Sequence, residues 1–251
     1  MEIDLKGKNV LITGAAKGIG RGIANACASE GANIGLHYLS SKEEALLTAK
    51  ELSYTYGVNV HLVKGNIAKI EDVQKMKEEL YRSLGGLDCI VNNAGFAKMK
   101  SFFQYELDEW KHEVDTCFYG VLNLVHTFMP DMIEKKQGKF INIVGDSAQT
   151  GDKNLIVSAA ARNGAISFLK SLAQDVGKSN VQCNTVSLGL IDQDSLGFNE
   201  NTLEKVVKQY PLKRLGKVDD VTGMILFLLS NHAEWITGQV ISINGGHSML
   251  G

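Results

Sequence analysis

One stretch of the chain decides its fold: Thr13-Gly14-Ala15-Ala16-Lys17-Gly18-Ile19-Gly20, which follows a short apolar run and opens a segment of helical period. Gly14 permits a tight turn out of a strand, Gly18 lets the backbone approach a pyrophosphate, and Gly20 lets a helix pack close to a sheet. The spacing differs from the common G-x-G-x-x-G pattern. The glycines alone therefore leave a purely structural loop as an alternative.

The rest of the chain alternates short apolar runs with longer segments of helical period. This alternation indicates β-α-β units, in which a parallel sheet is covered by helices on both faces. We predict seven strands, at Asn9–Thr13, Asn33–Tyr38, Val60–Lys64, Cys89–Asn92, Phe140–Val144, Gln182–Ser187 and Val240–Asn244. We predict helices at Gly18–Glu30, Ser41–Tyr56, Leu107–Gln137, Ser158–Gly177, Leu203–Tyr210 and Val218–Leu229.

Composition narrows the class of protein. The 251 residues include 26 glycines and only 2 prolines, with 44% hydrophobic residues and no low-complexity stretch, which favours one α/β domain over residues 1–251. A net charge of -2 gives no basic footprint for nucleic acid or anionic lipid. No apolar run approaches the ~18 residues of a membrane span, and the start of the chain lacks a charged and apolar leader, so we expect a cytoplasmic protein.

Four cysteines, Cys27, Cys89, Cys117 and Cys183, lie far apart and form no C-x-x-C pair. This spacing argues against a zinc site, and a domain of this size needs no disulfide framework. We expect the cysteines to be small buried apolar residues, and we expect no metal site.

Three further motifs accompany the glycine loop: Asn92–Gly95 after the fourth strand, Pro211–Gly216, and Ile236–Val240 near the C-terminus. Together the four motifs resemble those of the short-chain dehydrogenase/reductase family over essentially the whole chain. The resemblance implies a Rossmann-like doubly wound sheet of seven parallel strands with an NAD(P) pocket at the carboxyl ends of the strands. It also implies hydride transfer between a carbonyl and an alcohol, and dimers or tetramers built through the two long central helices and the last strand and helix.

The same resemblance locates the positions of the family's four catalytic residues. The family's Tyr-x-x-x-Lys precedes a segment similar to Asn163–Ala173, and counting back without a gap places Ser158 at the tyrosine and Arg162 at the lysine. The family's serine falls on Gly145 and its asparagine on Cys117. The resemblance thus implies that all four catalytic roles are vacant.

The replacements are poor substitutes by their chemistry. Ser158 offers an aliphatic hydroxyl whose pKa is several units above that of a phenol, and Arg162 carries a bulky planar group that stays protonated. For Arg162 we favour an ion pair or an interface contact over a ribose or a substrate carboxylate. We expect Asp146 and Ser147 to be solvated loop residues, because neighbouring positions at a strand end face different ways.

His112 and Tyr119 are expected to pack or to lie on the surface of a long amphipathic helix. The expected cofactor is NAD or NADP, and the sequence leaves the choice open. The strand end His37-Tyr38 lacks the carboxylate typical of NAD sites, while Lys17 and Ser40–Lys42 resemble features of NADP-preferring relatives.

The family's P-G-x-I-x-T beside the nicotinamide reads Leu188–Gln193, without the proline and the threonine. We therefore expect the adenosine end to bind and the nicotinamide end to bind weakly or not at all. The residues expected to line the cofactor pocket are Gly14, Lys17, Gly18, Ile19, Gly20, Asn66, Asn93, Ala94 and Gly95, of which Asn66 replaces an adenine-contacting aspartate.

These features lead to the hypothesis of a non-catalytic subunit in a hetero-oligomeric NAD(P)-dependent alcohol dehydrogenase. Its partner would be an active subunit of the same family, and the substrate of the complex a hydroxyacyl-CoA of aromatic catabolism. Two alternatives stay open: an active carbonyl reductase with non-standard catalytic groups, and a regulatory module that senses NADP.

Overall fold

The structure is a computed structural model that describes residues 3–193, 197 and 199–250. Its sheet contains seven parallel strands in the order β3-β2-β1-β4-β5-β6-β7, which confirms the predicted Rossmann-like architecture. The predicted single domain also includes residues 1–2, 194–196, 198 and 251, which lie outside the described residues. The strands are β1 Asn9–Thr13, β2 Asn33–Tyr38, β3 Val60–Lys64, β4 Cys89–Asn92, β5 Gly138–Gly145, β6 Val181–Leu188 and β7 Val240–Ile243.

Strands β5 and β6 are longer than predicted because they pair with each other over eight positions, from Gly138 opposite Val181 to Gly145 opposite Leu188. Strand β7 is one residue shorter than predicted, since Asn244 leaves the ladder to bond with side chains. The extension of β5 matters for the site because it carries the strand to Gly145 itself.

The helices that connect the strands cover both faces of the sheet. They are α1 Gly18–Ser29, α2 Lys42–Tyr56, α3 Ile70–Leu84, α4 Leu107–Val114, α5 Gly120–Lys135, α6 Ser147–Thr150, α7 Ile156–Val176, α8 Glu200–Lys208 and α9 Val218–Leu229. The sequence analysis did not assign α3, although Val73, Met76 and Leu80 bury one face of it at helical spacing. It also missed α6, which has only four residues.

The predicted helix Leu107–Gln137 is interrupted. Between α4 and α5 the chain forms a π-helical turn at Asp115–Tyr119, and the thiol of Cys117 in that turn donates a hydrogen bond to the carbonyl oxygen of Phe96 (3.2 Å). A π turn inserts a residue into the helix, and such turns are frequent at functional sites. The periodicity of the apolar residues gave no sign of it.

Two apolar layers hold the helices to the sheet. Because side chains alternate along a strand, Val10 and Ile12 of β1 face one layer and Leu11 faces the other. The first layer packs the sheet against α1, α2 and α9, and the second packs it against α3, α5 and α7. All four cysteines are free and buried, as predicted. None of the helices in the described part of the chain combines the length and apolar character needed to cross a membrane.

His37 ties together the carboxyl ends of three neighbouring strands. It is buried at the end of β2, where its Nδ1 accepts the N–H of Gly14 (3.1 Å) and its Nε2 bonds the carbonyl oxygen of Gly65 (2.9 Å). A carbonyl can only accept, so Nε2 carries the proton and the ring is neutral. Burial lowers the pKa of His37 to about 4, although the bond to Gly65 acts in the opposite direction.

The neutral ring makes folding sensitive to acid. In the unfolded chain His37 is protonated below about pH 6.5, whereas in the folded chain it stays neutral down to about pH 4. Because protonation favours the unfolded chain between these values, the contribution of neutral His37 to stability is complete above pH 6.5 and is lost as the pH falls towards 4. Between pH 7 and pH 5 we expect His37 to account for a loss of about 2 kcal/mol in the free energy of unfolding.

Urea denaturation at the two pH values measures this loss. His37→Gln should remove it, because the amide does not titrate, while His126→Gln on the exposed face of α5 should leave it in place. An equal pH dependence in wild type and His37→Gln would contradict the assignment.

Candidate functional site

The glycine loop and the Asn92–Gly95 turn are joined by the hydroxyl of Thr13, the last residue of β1. Its Oγ1 donates to Oδ1 of Asn92 (2.7 Å) and accepts the N–H groups of Asn93 (3.0 Å) and Ala94 (2.9 Å). Asn92 in turn donates from Nδ2 to Oδ1 of Asn142 on β5 (2.8 Å). The two motifs therefore form one rigid unit at the carboxyl edge of the sheet.

The side chain of Asn93 forms further hydrogen bonds between the turn and the glycine loop. Its Nδ2 donates to the carbonyl oxygens of Thr13 (3.1 Å) and Gly14 (3.2 Å). Gly14 has a φ of +62°, which only glycine adopts without strain, and a Cβ at Gly20 would collide with the carbonyl oxygen of Gly14. Both glycines are thus required by the shape of the loop.

A cleft of about 710 Å³ opens above this edge. All nine residues predicted for the cofactor pocket line it, so the structure brings the predicted set together around one cavity. Its other lining residues are His37, Leu39, Ser40, Gly65, Ile67, Phe96, His112, Thr116 and Gln193. Over the described ranges, no group of three or more His, Cys, Asp or Glu side chains is placed to hold a metal ion.

The half of the cleft between the glycine loop and β3 has features typical of a site for an adenosine diphosphate. The loop presents backbone N–H groups at the start of α1, which favours anionic phosphate groups. Lys17 and Ser40 line this half, and among the residues that the structure describes no carboxylate lines it. Neutral His37 is a polar group at the strand end where NAD sites place an acid.

Two side chains lie against glycines that line the cleft. The side-chain oxygen of Gln193 lies directly against Gly18, where a Cβ on that glycine would collide with it. The guanidinium of Arg162 lies against Gly95, with Nη2 2.8 Å from the position that a Cβ would take. Both side chains therefore lie beside glycines that were predicted to line the cofactor pocket.

Arg162 does not form the ion pair that the sequence analysis favoured, at least with any residue that the structure describes. Its planar group lies beside the Asn92–Gly95 turn instead. The alternative of a ligand contact and that of an interface contact both remain predictions.

The other three positions implied by the resemblance also lie outside the lining of the cleft. Ser158 is fully buried and its hydroxyl is turned to the carbonyl oxygen of Leu155 (3.4 Å) in its own helix. Cys117 is buried and bonded to Phe96, and Gly145 ends β5 without a side chain. None of the three presents a proton donor to the cleft.

Gly145 nevertheless has room for a side chain. A Cβ there would lie 3.7 Å from Oγ of Ser147 and 3.9 Å from the carbonyl oxygen of Leu188, which are ordinary contact distances. Ser147 comes back towards Gly145 because the chain turns into α6 directly after β5, so the alternation rule used for this position does not apply.

The expectation that Asp146 is a solvated loop residue is wrong. Its carboxylate is buried, with Oδ1 accepting from the hydroxyl of Ser187 (2.8 Å) and Oδ2 accepting from Asn244 (2.7 Å) and Ser248 (2.8 Å). A buried carboxylate is stable when hydrogen-bond donors surround it, and these donors come from β6 and the C-terminal segment. They are distant in sequence, so local pattern gave no sign of them.

His112 is exposed and packs on the ring of Phe96, with ring centroids 4.9 Å apart, which agrees with the expectation, and it also lines the cleft. Tyr119 is half-exposed in the π turn, as expected for a surface position. A buried Glu113, also unnoticed in the sequence, fixes the segment beyond Phe96 by accepting the N–H of Lys98 (2.9 Å) and the hydroxyl of Tyr105 (2.7 Å).

Comparison with known proteins agrees with this geometry. The family described as "Enoyl-(Acyl carrier protein) reductase" matches residues 14–248. A 3-oxoacyl-[acyl-carrier-protein] reductase FabG of Aquifex aeolicus is 36% identical over 98% of this chain and 99% of its own length. FabG proteins of Staphylococcus epidermidis (34% identical; 96% and 99% covered) and Chlamydia muridarum (31%; 96% and 98%) are similar over nearly their whole lengths. With its sheet order, glycine loop and cleft, the chain belongs to the short-chain dehydrogenase/reductase family of oxidoreductases.

Proposed function

We propose that this chain is the non-catalytic subunit of a hetero-oligomeric NAD(P)-dependent dehydrogenase, in which it supports an active partner subunit of the same family. The observation that carries the proposal is the set of four replaced positions: Cys117, Gly145, Ser158 and Arg162. The motifs that build the fold are intact around them.

Proton transfer is the step that these replacements affect most. Reduction of a carbonyl needs a proton donor beside the developing alkoxide, and general acids of this kind contribute about 10² to 10⁴ in rate. The buried hydroxyl of Ser158 is bonded within its own helix, and Arg162 stays protonated. No donor of suitable pKa therefore stands at the family's tyrosine position.

The cleft supports a reduced role for the cofactor. NAD or NADP, when bound in this family, supplies or accepts the hydride. The side of the cleft between the glycine loop and β3 carries Lys17, Ser40 and neutral His37, whereas on the other side Arg162 lies against Gly95. Weak binding of the nicotinamide, or binding through the adenosine end alone, follows from this asymmetry.

For the substrate of the complex we propose an acyl thioester, namely a hydroxyacyl-CoA of aromatic catabolism. The similar FabG proteins are named for reduction of a 3-oxoacyl group on acyl carrier protein, which is also an acyl thioester. Fold and missing catalytic groups together resemble the non-catalytic subunit of the two-subunit 2-(hydroxyphenylmethyl)succinyl-CoA dehydrogenase of anaerobic toluene degradation.

A second candidate function is an active 3-oxoacyl thioester reductase with non-standard groups. The end-to-end identity of 36% with the Aquifex aeolicus FabG favours it. A residue near Gly145 would have to supply the hydroxyl that the family's serine provides, and the hydroxyl of Ser147 is the one that lies close to Gly145.

The activity of the isolated chain distinguishes the two candidate functions. With NADH or NADPH and a 3-oxoacyl-CoA, turnover should be at least about a thousandfold below the usual range of roughly 1 to 10³ per second, because neither Cys117, Gly145 nor Ser158 presents a proton donor to the cleft. Ser147→Ala and Ser158→Ala should change nothing. Ordinary turnover that either variant abolishes would refute the proposal and establish the second candidate.

Nucleotide affinity tests the asymmetry of the cleft. By calorimetry, ADP and NADH should bind with dissociation constants within about threefold of each other, since the nicotinamide adds little contact. Lys17→Ala, which alters the phosphate end, should weaken both nucleotides, and Lys153→Ala outside the cleft should weaken neither. NADH binding about a hundredfold tighter than ADP would instead indicate a competent nicotinamide site. Specific tight binding of NADP without any partner would favour the sensing module.

Association with a catalytic companion is the third test. A short-chain dehydrogenase that carries Tyr-x-x-x-Lys and co-purifies from the native cell should gain thioester-dependent turnover when this chain is added. Ala160→Arg, on the exposed face of α7, should block close helix packing and reduce that gain by about tenfold or more. Tyr54→Arg on the exposed face of α2 is the matched control and should retain the full gain. A companion equally active without this chain would contradict the supporting role.

A further inference from the structure

The buried carboxylate of Asp146 holds the end of the chain against the sheet. Asn244 and Ser248 both donate to its Oδ2, while Ser187 of β6 donates to Oδ1. The backbone N–H of Asp146 donates to the carbonyl oxygen of Leu188 (2.8 Å), so the residue is itself fixed to β6. Asp146 thus joins β5, β6 and the segment Asn244–Ser248 at one point.

The C-terminal segment Asn244–Ser248 in turn contacts the part of the chain that follows β6 at two places, at Gly189 and at Pro211 and Leu212. At the near end, Gly189 lies so close to Asn244 that a Cβ would be 2.9 Å from its Cα, and the N–H of Gly189 donates to the carbonyl oxygen of Ile243, the last residue of β7 (3.0 Å). At the far end, the N–H of Leu212 donates to the carbonyl oxygen of Gly245 (3.3 Å), and Gly246 lies so close to Pro211 that a Cβ would be 2.9 Å from its ring.

Tyr210 connects these two ends. Its ring stacks on His247 with centroids 4.9 Å apart, and its hydroxyl accepts the N–H of Leu190 (2.8 Å). The stretch from Gly189 then leads to Gln193, whose side chain lies against Gly18 of the glycine loop. A continuous set of contacts therefore runs from Asp146 to the cleft.

We propose that Asp146 is a positioning residue whose carboxylate fixes Asn244–Ser248 and, through that segment, holds Gly189–Gln193 in place beside the glycine loop. The role lies outside the cofactor pocket and does not depend on whether the chain is catalytic. It makes the C-terminal segment part of the support of the cleft.

Asp146→Asn tests the role with almost no change of shape. An amide offers one acceptor oxygen and one donor group, so it cannot accept from Ser187, Asn244 and Ser248 together. Hydrogen exchange measured by mass spectrometry should become at least about tenfold faster in residues 240–248 and in residues 189–193, since hydrogen bonds to a charged group are strong. Residues 9–13 of β1 should keep the wild-type rate.

Asp175→Asn, which alters an exposed carboxylate on α7, is the matched control and should leave all these rates unchanged. Faster exchange in residues 240–248 alone, with residues 189–193 at the wild-type rate, would overturn the proposal. Acceleration throughout the chain would also overturn it, because it would mean a general loss of stability.

If Asp146→Asn does not fold, the variant Ser248→Ala tests the same contact. It removes one donor near the end of the chain and should speed exchange in both stretches, whereas Ser248→Thr retains the hydroxyl and should restore the wild-type rates. Equal rates in Ser248→Ala, Ser248→Thr and wild type would refute the role of the carboxylate.

Discussion

The hydroxyl of Thr13 is the contact on which the carboxyl edge of the sheet depends. It satisfies the amide oxygen of Asn92 and the two N–H groups that begin the next turn, at Asn93 and Ala94. A buried donor or acceptor left without a partner costs about 1–3 kcal/mol, so one hydroxyl stabilises several groups at once. The hydroxyl therefore couples the end of β1, where the glycine loop begins, to the Asn92–Gly95 turn.

The same constraint recurs along this edge. Parallel strands end with peptide groups that no neighbouring strand can pair, and each such end needs a polar side chain or a turn. Neutral His37 serves this purpose between Gly14 and Gly65. The carboxylate of Asp146 instead binds side chains, those of Ser187 on β6 and of Asn244 and Ser248 in the C-terminal segment. The two groups differ in charge because His37 meets one donor and one acceptor, whereas the side chain of Asp146 meets only donors.

Sequence reasoning predicted the strands, their parallel arrangement and the glycine loop because these depend on local pattern. Val10, Leu11 and Ile12 alternate between two apolar layers, and Gly14 needs a positive φ, whatever the rest of the chain does. The nine residues assigned to the cofactor pocket follow from motif positions and lie around one cleft.

The features that sequence reasoning missed depend on partners far along the chain. Asp146 was misplaced at the surface because its donors Asn244 and Ser248 are about a hundred residues away. The π turn at Asp115–Tyr119 changes the helical register without changing composition. The contacts of Gln193 with Gly18 and of Arg162 with Gly95 could not be predicted from the periodicity of apolar residues in the sequence.

The glycines of this chain differ in how strongly the fold requires them. Gly14 and Gly20 are irreplaceable, since one has a positive φ and the other touches a carbonyl oxygen. Gly145 has neither restriction, and a Cβ would fit there without contact closer than 3.7 Å. Likewise the hydroxyl of Ser158 forms only a long bond of 3.4 Å within its own helix. Under the proposed function, this chain has lost only catalytic side chains, at positions that support the reaction in active relatives but contribute little to folding here. The fold tolerates their loss because Thr13, His37 and Asp146 satisfy the polar groups at the strand ends.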